Sequence, residues 1–361
     1  MHWGCFIMQK GIYILNATQK ELLDDFTQKK INEYIEFKET SSGTYIQLSD
    51  QGFKLLTPNF DTLEISKKNH LLLHTDVTTE ILIALLASPI LIEFPSKAEF
   101  FSSLRTRKHI IESAKKSHIQ FNPTEINRPQ EFWTYKNNSG FVLNPNKDLI
   151  TALEATLLPQ DTFNLPSFSC YRLSEYIILL GIAKEVRENN QKVYIQLMNQ
   201  WQKNPIQSRK FHDIFLHEWG TNEQPLPKNW YIPGDRVWFR NPDLQSRQIL
   251  GNEGSWVIYL GNGKFNNLIQ PSKPFDLKTK CVTIYHWRNA ITMDSHGETV
   301  VDDGYVEMLV KDTMQNSAEL ESILDMMTQY RHIPNDTFNN GCIDRTRESP
   351  VWLLSSLNNF D

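Results

Sequence analysis

From Ser167 to Lys184 the chain carries one segment that constrains everything around it. Pro166 and Ser167 read as a loop. Ser167 or Ser169 caps a helix start by accepting a hydrogen bond from a free backbone N–H. Behind the cap, apolar side chains fall at Leu173, Tyr176, Ile177, Leu180 and Ala183, which is helical spacing. Ile178, Leu179 and Ile182 carry the apolar surface around most of the helix, so it must be buried with other elements packed about it. Its first turn holds Cys170. Unpaired N–H groups and the helix dipole there favour a thiolate, the nucleophilic form of cysteine. Read from this stretch alone, Cys170 is either such a nucleophile or a small buried thiol that only packs.

A chain of 361 residues has room for one large domain, or a core with appended parts. Its net charge of -5 gives no support for a nucleic-acid surface. The four cysteines, Cys5, Cys170, Cys281 and Cys342, are far apart with no CxxC spacing, so neither a zinc site nor a disulfide framework is suggested. A reducing compartment is the simpler reading. Residues 1–10 lack the basic start and long apolar run of a signal peptide. The most apolar segment, 81–92, is interrupted by Ser88 and Pro89 and is too short to span a bilayer. The expectation is a chain made in the cytoplasm, with no membrane partner, whose export would need a route without a cleaved signal.

Residues 1–75 alternate short apolar runs with charged helical stretches and read as a small α+β extension without a chemical motif. A helix is expected from Thr78 to Leu86, an extended piece over Ile90–Phe94, and a helix over Lys97–Lys116 capped by Ser96. Phe132–Tyr135 and Phe141–Leu143 read as a β-hairpin turning at Asn137–Gly140. Leu149–Leu157 and Val193–Gln202 are further helices, and Phe211–Trp219 follows after Pro205. His212 and His217 tempt a metal reading, but residues five apart do not share a helical face as an i, i+4 pair would, and no metal site is expected.

The second half is expected to be β-rich. Gly234–Arg240 and Trp256–Leu260 read as strands, with Gly251–Ser255 as the loop opening onto the latter. Lys280–Trp287 reads as a third strand, on which Val282, Ile284 and His286 share a face. Tyr305–Val310 reads as a fourth, and a helical tail follows from about 315. Helices first and then successive strands argue an α+β fold with a mostly antiparallel sheet.

The landmarks together resemble the small bacterial transglutaminases known from Bacillus spore coats. Phe101–Lys115 (Leu-Arg-x-Arg-Lys-x-Ile-Ile-x-Ser-Ala-Lys) is similar to that family's first long helix, and Trp133–Leu143 to its hairpin. Phe168-Ser169-Cys170 sits where the family has Phe-Glu-Cys. Leu216-His217-Glu218-Trp219 resembles its Leu-Tyr-Asp-Trp, Gly234–Asp243 its Gly-Asp-x-x-Tyr-Phe-Lys-Asn-Pro block, and Gly251–Gly261 its Gly-Glu-Asn-x-Ile-x-Leu-Gly block. The resemblance implies a catalytic domain over 76–315, flanked by the extension 1–75 and a helical tail 316–361. It implies a papain-like, NlpC/P60-like core with the nucleophilic Cys170 at a helix N-terminus, packed on an antiparallel sheet. It implies acyl transfer from a protein glutamine to lysine or another primary amine through a Cys170 thioester, with release of ammonia and no calcium or cofactor.

By the same resemblance Glu253 is the base, and Trp219 matches a tryptophan lining the family's substrate tunnel. The sequence departs from the family at four points. Ser169 replaces the glutamate before the cysteine. Leu250 replaces a tryptophan three residues before the base, and Trp256, three residues after Glu253, is the candidate for that wall. The spacing from Glu253 to Val257 is two residues longer. Phe265-Asn266-Asn267 replaces an aromatic-x-His-Gly. His286, on the expected third strand, is therefore a second candidate base for a Cys–His pair. Competing readings are a glutamine deamidase or thiol hydrolase on the same fold, and a non-catalytic binding relative.

Overall fold

The computed structural model describes residues 10–27, 31–65, 76–122, 127–136, 140–159, 165–205, 208–268, 270–331 and 341–355. The hairpin turn 137–139, Cys5 and the Asn-rich 335–340 lie outside them.

The N-terminal part runs β1 (Gly11–Leu15), α1 (Gln19–Thr27), β2 (Ile35–Thr40), β3 (Gly43–Leu48) and α2 (Asp50–Leu56). Next come α3 (Val77–Leu86), β4 (Leu91–Phe94) and α4 (Lys97–Lys116). The first sheet has the order β2-β3-β1-β4, with Ile12 antiparallel to Ile46 and parallel to Ile92. β1 thus ties the first 50 residues to strand 91–94, across the boundary read at 75. Ser96 caps α4 by accepting from the Glu99 N–H at 3.1 Å, over the span the sequence indicated.

The middle runs β5 (Gln120–Phe121), β6 (Trp133–Lys136), β7 (Gly140–Leu143), α5 (Leu149–Leu157), β8 (Ser167–Phe168), α6 (Cys170–Asn189), α7 (Gln191–Lys203) and α8 (Ser208–Phe215). β6 and β7 form the expected hairpin, Trp133 opposite Leu143. α6 is the buried axis of the molecule: Leu173, Ile177, Ile178, Leu179, Leu180 and Ile182 are wholly covered. Each such side chain contributes roughly 1.5–3 kcal/mol on leaving water. α4, α5, α7 and the sheet surround it. Where α4 crosses α6, a Cβ on Gly181 would lie 2.5 Å from Ile110 Cγ1, so only glycine allows this approach.

The remaining elements are β9 (Leu216–Trp219), β10 (Arg236–Arg240), β11 (Gly254–Gly261), β12 (Lys264–Phe265), α9 (Leu277–His286), β13 (Ile291–Met293), β14 (Thr299–Val301), α10 (Asp303–Gln315), α11 (Ser317–Met327) and β15 (Arg347–Pro350). The second sheet is antiparallel, in the order β12-β11-β10-β15-β9. On β11, Ile258 and Leu260 join the core around α6, while Val257 and Tyr259 join a second core under α9–α11. That alternation is the period-2 geometry of a strand covered on both faces. The architecture is a mixture of helices with two main sheets, the larger one antiparallel, and three two-stranded pairs among the described residues. Among the described residues no helix is long and apolar enough to cross a membrane.

Three expectations are corrected. Lys280–Trp287 is not a strand: Asp276 accepts from the Thr279 N–H at 2.8 Å and starts α9, whose residues Leu277, Lys280, Cys281 and Ile284 are buried on one helical face. Tyr305–Val310 lies within α10, capped by Asp302. Both runs are rich in β-branched and aromatic residues, and tertiary packing overrides that propensity: α9 packs on the sheet's face, and α10 on α9 and α11. Finally, the segment after 315 is not only helical, because β15 enters the sheet between β10 and β9.

Candidate active site

The parallel pair of β5 and β8 delivers the chain to Ser169 in extended conformation. Ser169 Oγ accepts from the Arg172 N–H at 3.3 Å, and the first helical residue of α6 is Cys170. Burial pushes the Cys170 thiol up. The Trp256 N–H donating to it, the charge of Lys280 and the Tyr171 N–H pull it down, and Glu253 pushes it up again.

Cys170 lines a cavity of about 280 Å³ between the head of α6, the loop 249–255, β11, α9 and β14. Its walls are largely apolar, among them Leu250, Val257, Leu268, Phe275 and Trp287, with Lys280 and Asp303 as charged members. Burial raises the Asp303 carboxyl, and the nearby Glu307 and Asp302 raise it further.

Glu253 is exposed in the loop that borders this cavity and is not itself part of the lining; its Oε2 accepts from the Gly251 N–H at 3.2 Å. The Asn-Pro-Asp block at 241–243 holds that loop. The Asn241 N–H donates to the Glu253 carbonyl at 3.0 Å, and Asn241 Nδ2 donates to the Asn252 carbonyl at 2.9 Å. At Gly254 a Cβ would meet Trp238 Nε1 at 2.3 Å and the Phe239 carbonyl at 2.6 Å, so the loop enters β11 only through glycine.

Trp256 is brought to Cys170 by its backbone. Its neighbours in sequence, Ser255 and Val257, line the cavity, whereas the Trp256 ring stacks on Trp238 at 5.6 Å and meets Tyr171 edge-on at 5.3 Å. Trp219 lies on β9, at the far edge of the sheet from β11 beyond β10 and β15, and donates through Nε1 to Ser349 Oγ at 2.8 Å. It is not part of the cavity lining. His286 ends α9 rather than lying on a strand, and both ring nitrogens are engaged: Nε2 with Thr313 Oγ1 at 2.8 Å, Nδ1 with Asn289 Nδ2 at 3.0 Å. Burial lowers its pKa, and it too is away from the cavity lining. Among the described residues no three metal-ligating side chains are grouped.

The residue of α9 that faces the thiol is Lys280, which sequence reasoning missed. The strand assignment hid it. The signal was the Asp276 cap followed by Leu277, Lys280 and Ile284 at helical spacing. Lys280 is 4% exposed, and burial lowers its pKa to about 8 against the partly restoring influence of Cys170, Cys342 and Cys281. The two other described cysteines, Cys281 and Cys342, bring their sulfurs to 3.4 Å in the second core.

The family model of protein-glutamine gamma-glutamyltransferases matches residues 59–329. The chain belongs to that family. Among solved structures, a transglutaminase from Geobacillus stearothermophilus, without its C-terminal extension, aligns with a TM-score of 0.42 and 16% identity, over 60% of this chain and 98% of that one. A search of curated proteins gives no match. A transglutaminase is an acyltransferase with a cysteine nucleophile, and its substrates are proteins bearing glutamine and lysine. In this transglutaminase, Cys170 is the described cysteine that lines a cavity, while Cys281 and Cys342 are wholly buried.

Proposed function

We propose that Cys170 is the nucleophile of this transglutaminase and Glu253 the base that activates the incoming amine. The single observation that carries this reading is the Cys170 thiol at the head of α6, open to an apolar cavity bordered by the loop that bears Glu253. The thiolate attacks the side-chain carbonyl carbon of a protein glutamine. The oxygen that becomes negative is held by N–H donors of the first turn of α6. Collapse expels ammonia and leaves a thioester. Leu250, Val257, Leu268, Phe275 and Trp287 shield that thioester from water, which favours its capture by an amine. Glu253 takes the proton of the attacking amine as the isopeptide bond forms.

The acceptor is a lysine of a second protein or a small primary amine, and neither calcium nor a cofactor takes part. The core is of the papain-like, NlpC/P60-like kind: a cysteine heading a central helix against an antiparallel sheet. All residues named in these steps fall within 76–315, the span read as the catalytic part. His286 as base is not supported, because Thr313 and Asn289 occupy its ring nitrogens.

The test is incubation of the purified protein with a glutamine-rich protein and a labelled primary amine, beside Cys170→Ala, with the product read by mass spectrometry. The expected result is label at glutamine in the native protein and none in the variant. Conversion of glutamine to glutamate despite excess amine would make the protein a deamidase. Label retained by Cys170→Ala would remove the nucleophile assignment.

A further inference from the structure

Lys280 is a buried lysine that, among the described residues, has no carboxylate ion-pair partner. Its Nζ lies 4.5 Å from the centroid of the Phe275 ring. A buried ammonium is stabilised only by what faces it. Cys170 comes from the head of α6, Cys342 from the segment before β15, and Cys281 from its own helix. Cys342 and Cys281 engage each other's sulfur. Cys170 is the thiol that shares the cavity with Lys280, and Asp303 is the carboxylate lining the same cavity.

We infer that Lys280 is a catalytic residue, the proton carrier for the first half of the transfer reaction, in the position a histidine holds in a Cys–His pair. The inference rests on Cys170 being the nucleophile. As Cys170 Sγ bonds to the glutamine carbonyl carbon, its proton passes to neutral Lys280 Nζ, and the carbonyl π pair moves to oxygen. When that pair returns, the carbon–nitrogen bond breaks. The proton on Nζ passes to the departing nitrogen, which leaves as ammonia, and Lys280 is neutral again. No oxidant, metal or further reactant enters.

A lysine does this only if it gives up a proton near neutral pH, and burial brings Lys280 to about 8. The thiol and amine titrate as a pair, so their behaviour is read on the pair. The groups that face the pair are Cys281, Cys342 and Asp303, with Glu253 bearing on the thiol from the loop.

The test uses the full chain with Lys280→Met and Lys280→Arg. Methionine keeps the length of the stem and removes a buried charge, so this variant is expected to melt no lower than the native protein in circular dichroism. Alkylation of Cys170 by iodoacetamide is followed from pH 5 to 10, with the site read by mass spectrometry. In Lys280→Met the midpoint moves up by about one unit or more, a roughly 10-fold loss of thiolate at pH 7.5. Ammonia release falls by about 10²-fold or more, the usual contribution of a positioned acid–base group. In Lys280→Arg the alkylation profile stays close to the native one, because the positive charge remains. Ammonia release is still lost, because a guanidinium does not surrender its proton.

An alkylation profile of Lys280→Met that superimposes on the native one overturns the inference. So does full ammonia release by Lys280→Arg, or a glutamine substrate found joined to Lys280 Nζ by an isopeptide bond, which would make Lys280 an acceptor. Alkylation needs no acyl transfer, so failure here with Cys170→Ala inactive removes only the role of Lys280. An active Cys170→Ala removes the reading beneath it.

Discussion

Cys170 is a thiol under opposed influences: burial holds its proton on, while the Trp256 N–H and the Lys280 charge loosen it. Glu253 opposes ionisation of that same thiol, which fits a carboxylate that acts after the thiolate has been consumed rather than before. Glu253→Gln should therefore leave the first burst of ammonia intact and slow amine incorporation by about 10²-fold. Rapid-quench measurement of both products from one mixture separates the two, and a lost burst would move Glu253 into the first half-reaction. At this scale the sequence revealed what is local. Ser169 as cap and Cys170 as first helical residue follow from a pattern a few residues long. Lys280 was not legible, because its meaning depends on a thiol more than a hundred residues away and on α9 being a helix. Trp219 was matched to a short motif, yet its position follows from strand order, which that motif does not encode.

The helix α6 is fixed by the side chains it buries and by the one it lacks. Gly181→Val would drive two methyl groups into Ile110 and the backbone of α4. Overpacking of this kind costs about 1–3 kcal/mol, to which the weaker helix propensity of valine adds little. A urea titration should show the midpoint falling without a change in slope.

β10 and β15 are joined by a buried charge cluster. Arg236 donates through Nε to Glu348, and Glu348 Oε1 lies 3.2 Å from His212 Nε2. Burial raises Glu348, but His212 and Arg236 more than offset this and hold its carboxyl below 4.5. The bond to Glu348 lifts His212 above 6.5 despite its partial burial. The signs follow. The Glu348 contribution is present above 4.5 and lost as pH falls through its lowered value. The His212 contribution is full below 6.5 and fades as pH rises through its raised value. The cluster stabilises most between 4.5 and 6.5. Glu348→Gln should flatten that window in denaturant titrations at pH 3.5, 5.5 and 8.5. It should also cost about 3 kcal/mol, because Arg236 stays buried without its counter-charge. Elements with strong caps and long amphipathic spacing, such as α4 and α5, were legible in the sequence. α9 and α10 were not, because their β-branched residues favour strands until α9 has the sheet face, and α10 has α9 and α11, to pack against.

Across the whole molecule, the mixed α+β character was visible in the order of helices and strands, but not the way the chain's two ends are stitched in. β4 extends the N-terminal sheet, and β15 fills a gap in the larger one. β15 reads Arg-Glu-Ser-Pro, has no apolar alternation, and is buried at all four positions. Glu348 pairs with Arg236 and His212, and Ser349 accepts from Trp219, only once the strand is in place, so no periodicity announces it. Deletion of residues 316–355 should leave β9 unpaired and Arg236 bare. The shortened chain should melt without cooperativity, and a sharp transition within a few degrees of the native one would show the strand to be dispensable.

Trp219 of β9 and its partner Ser349 of β15 stand 130 residues apart in the chain. At a synthesis rate of about 5–20 residues per second, roughly ten seconds pass on the ribosome between them. Throughout that interval the large sheet has an open seam, and the seam stays open after Glu253 and Lys280 have been translated. A nascent chain that carries the thiol we propose as nucleophile beside other growing polypeptides is thereby kept from a finished fold until β15 emerges.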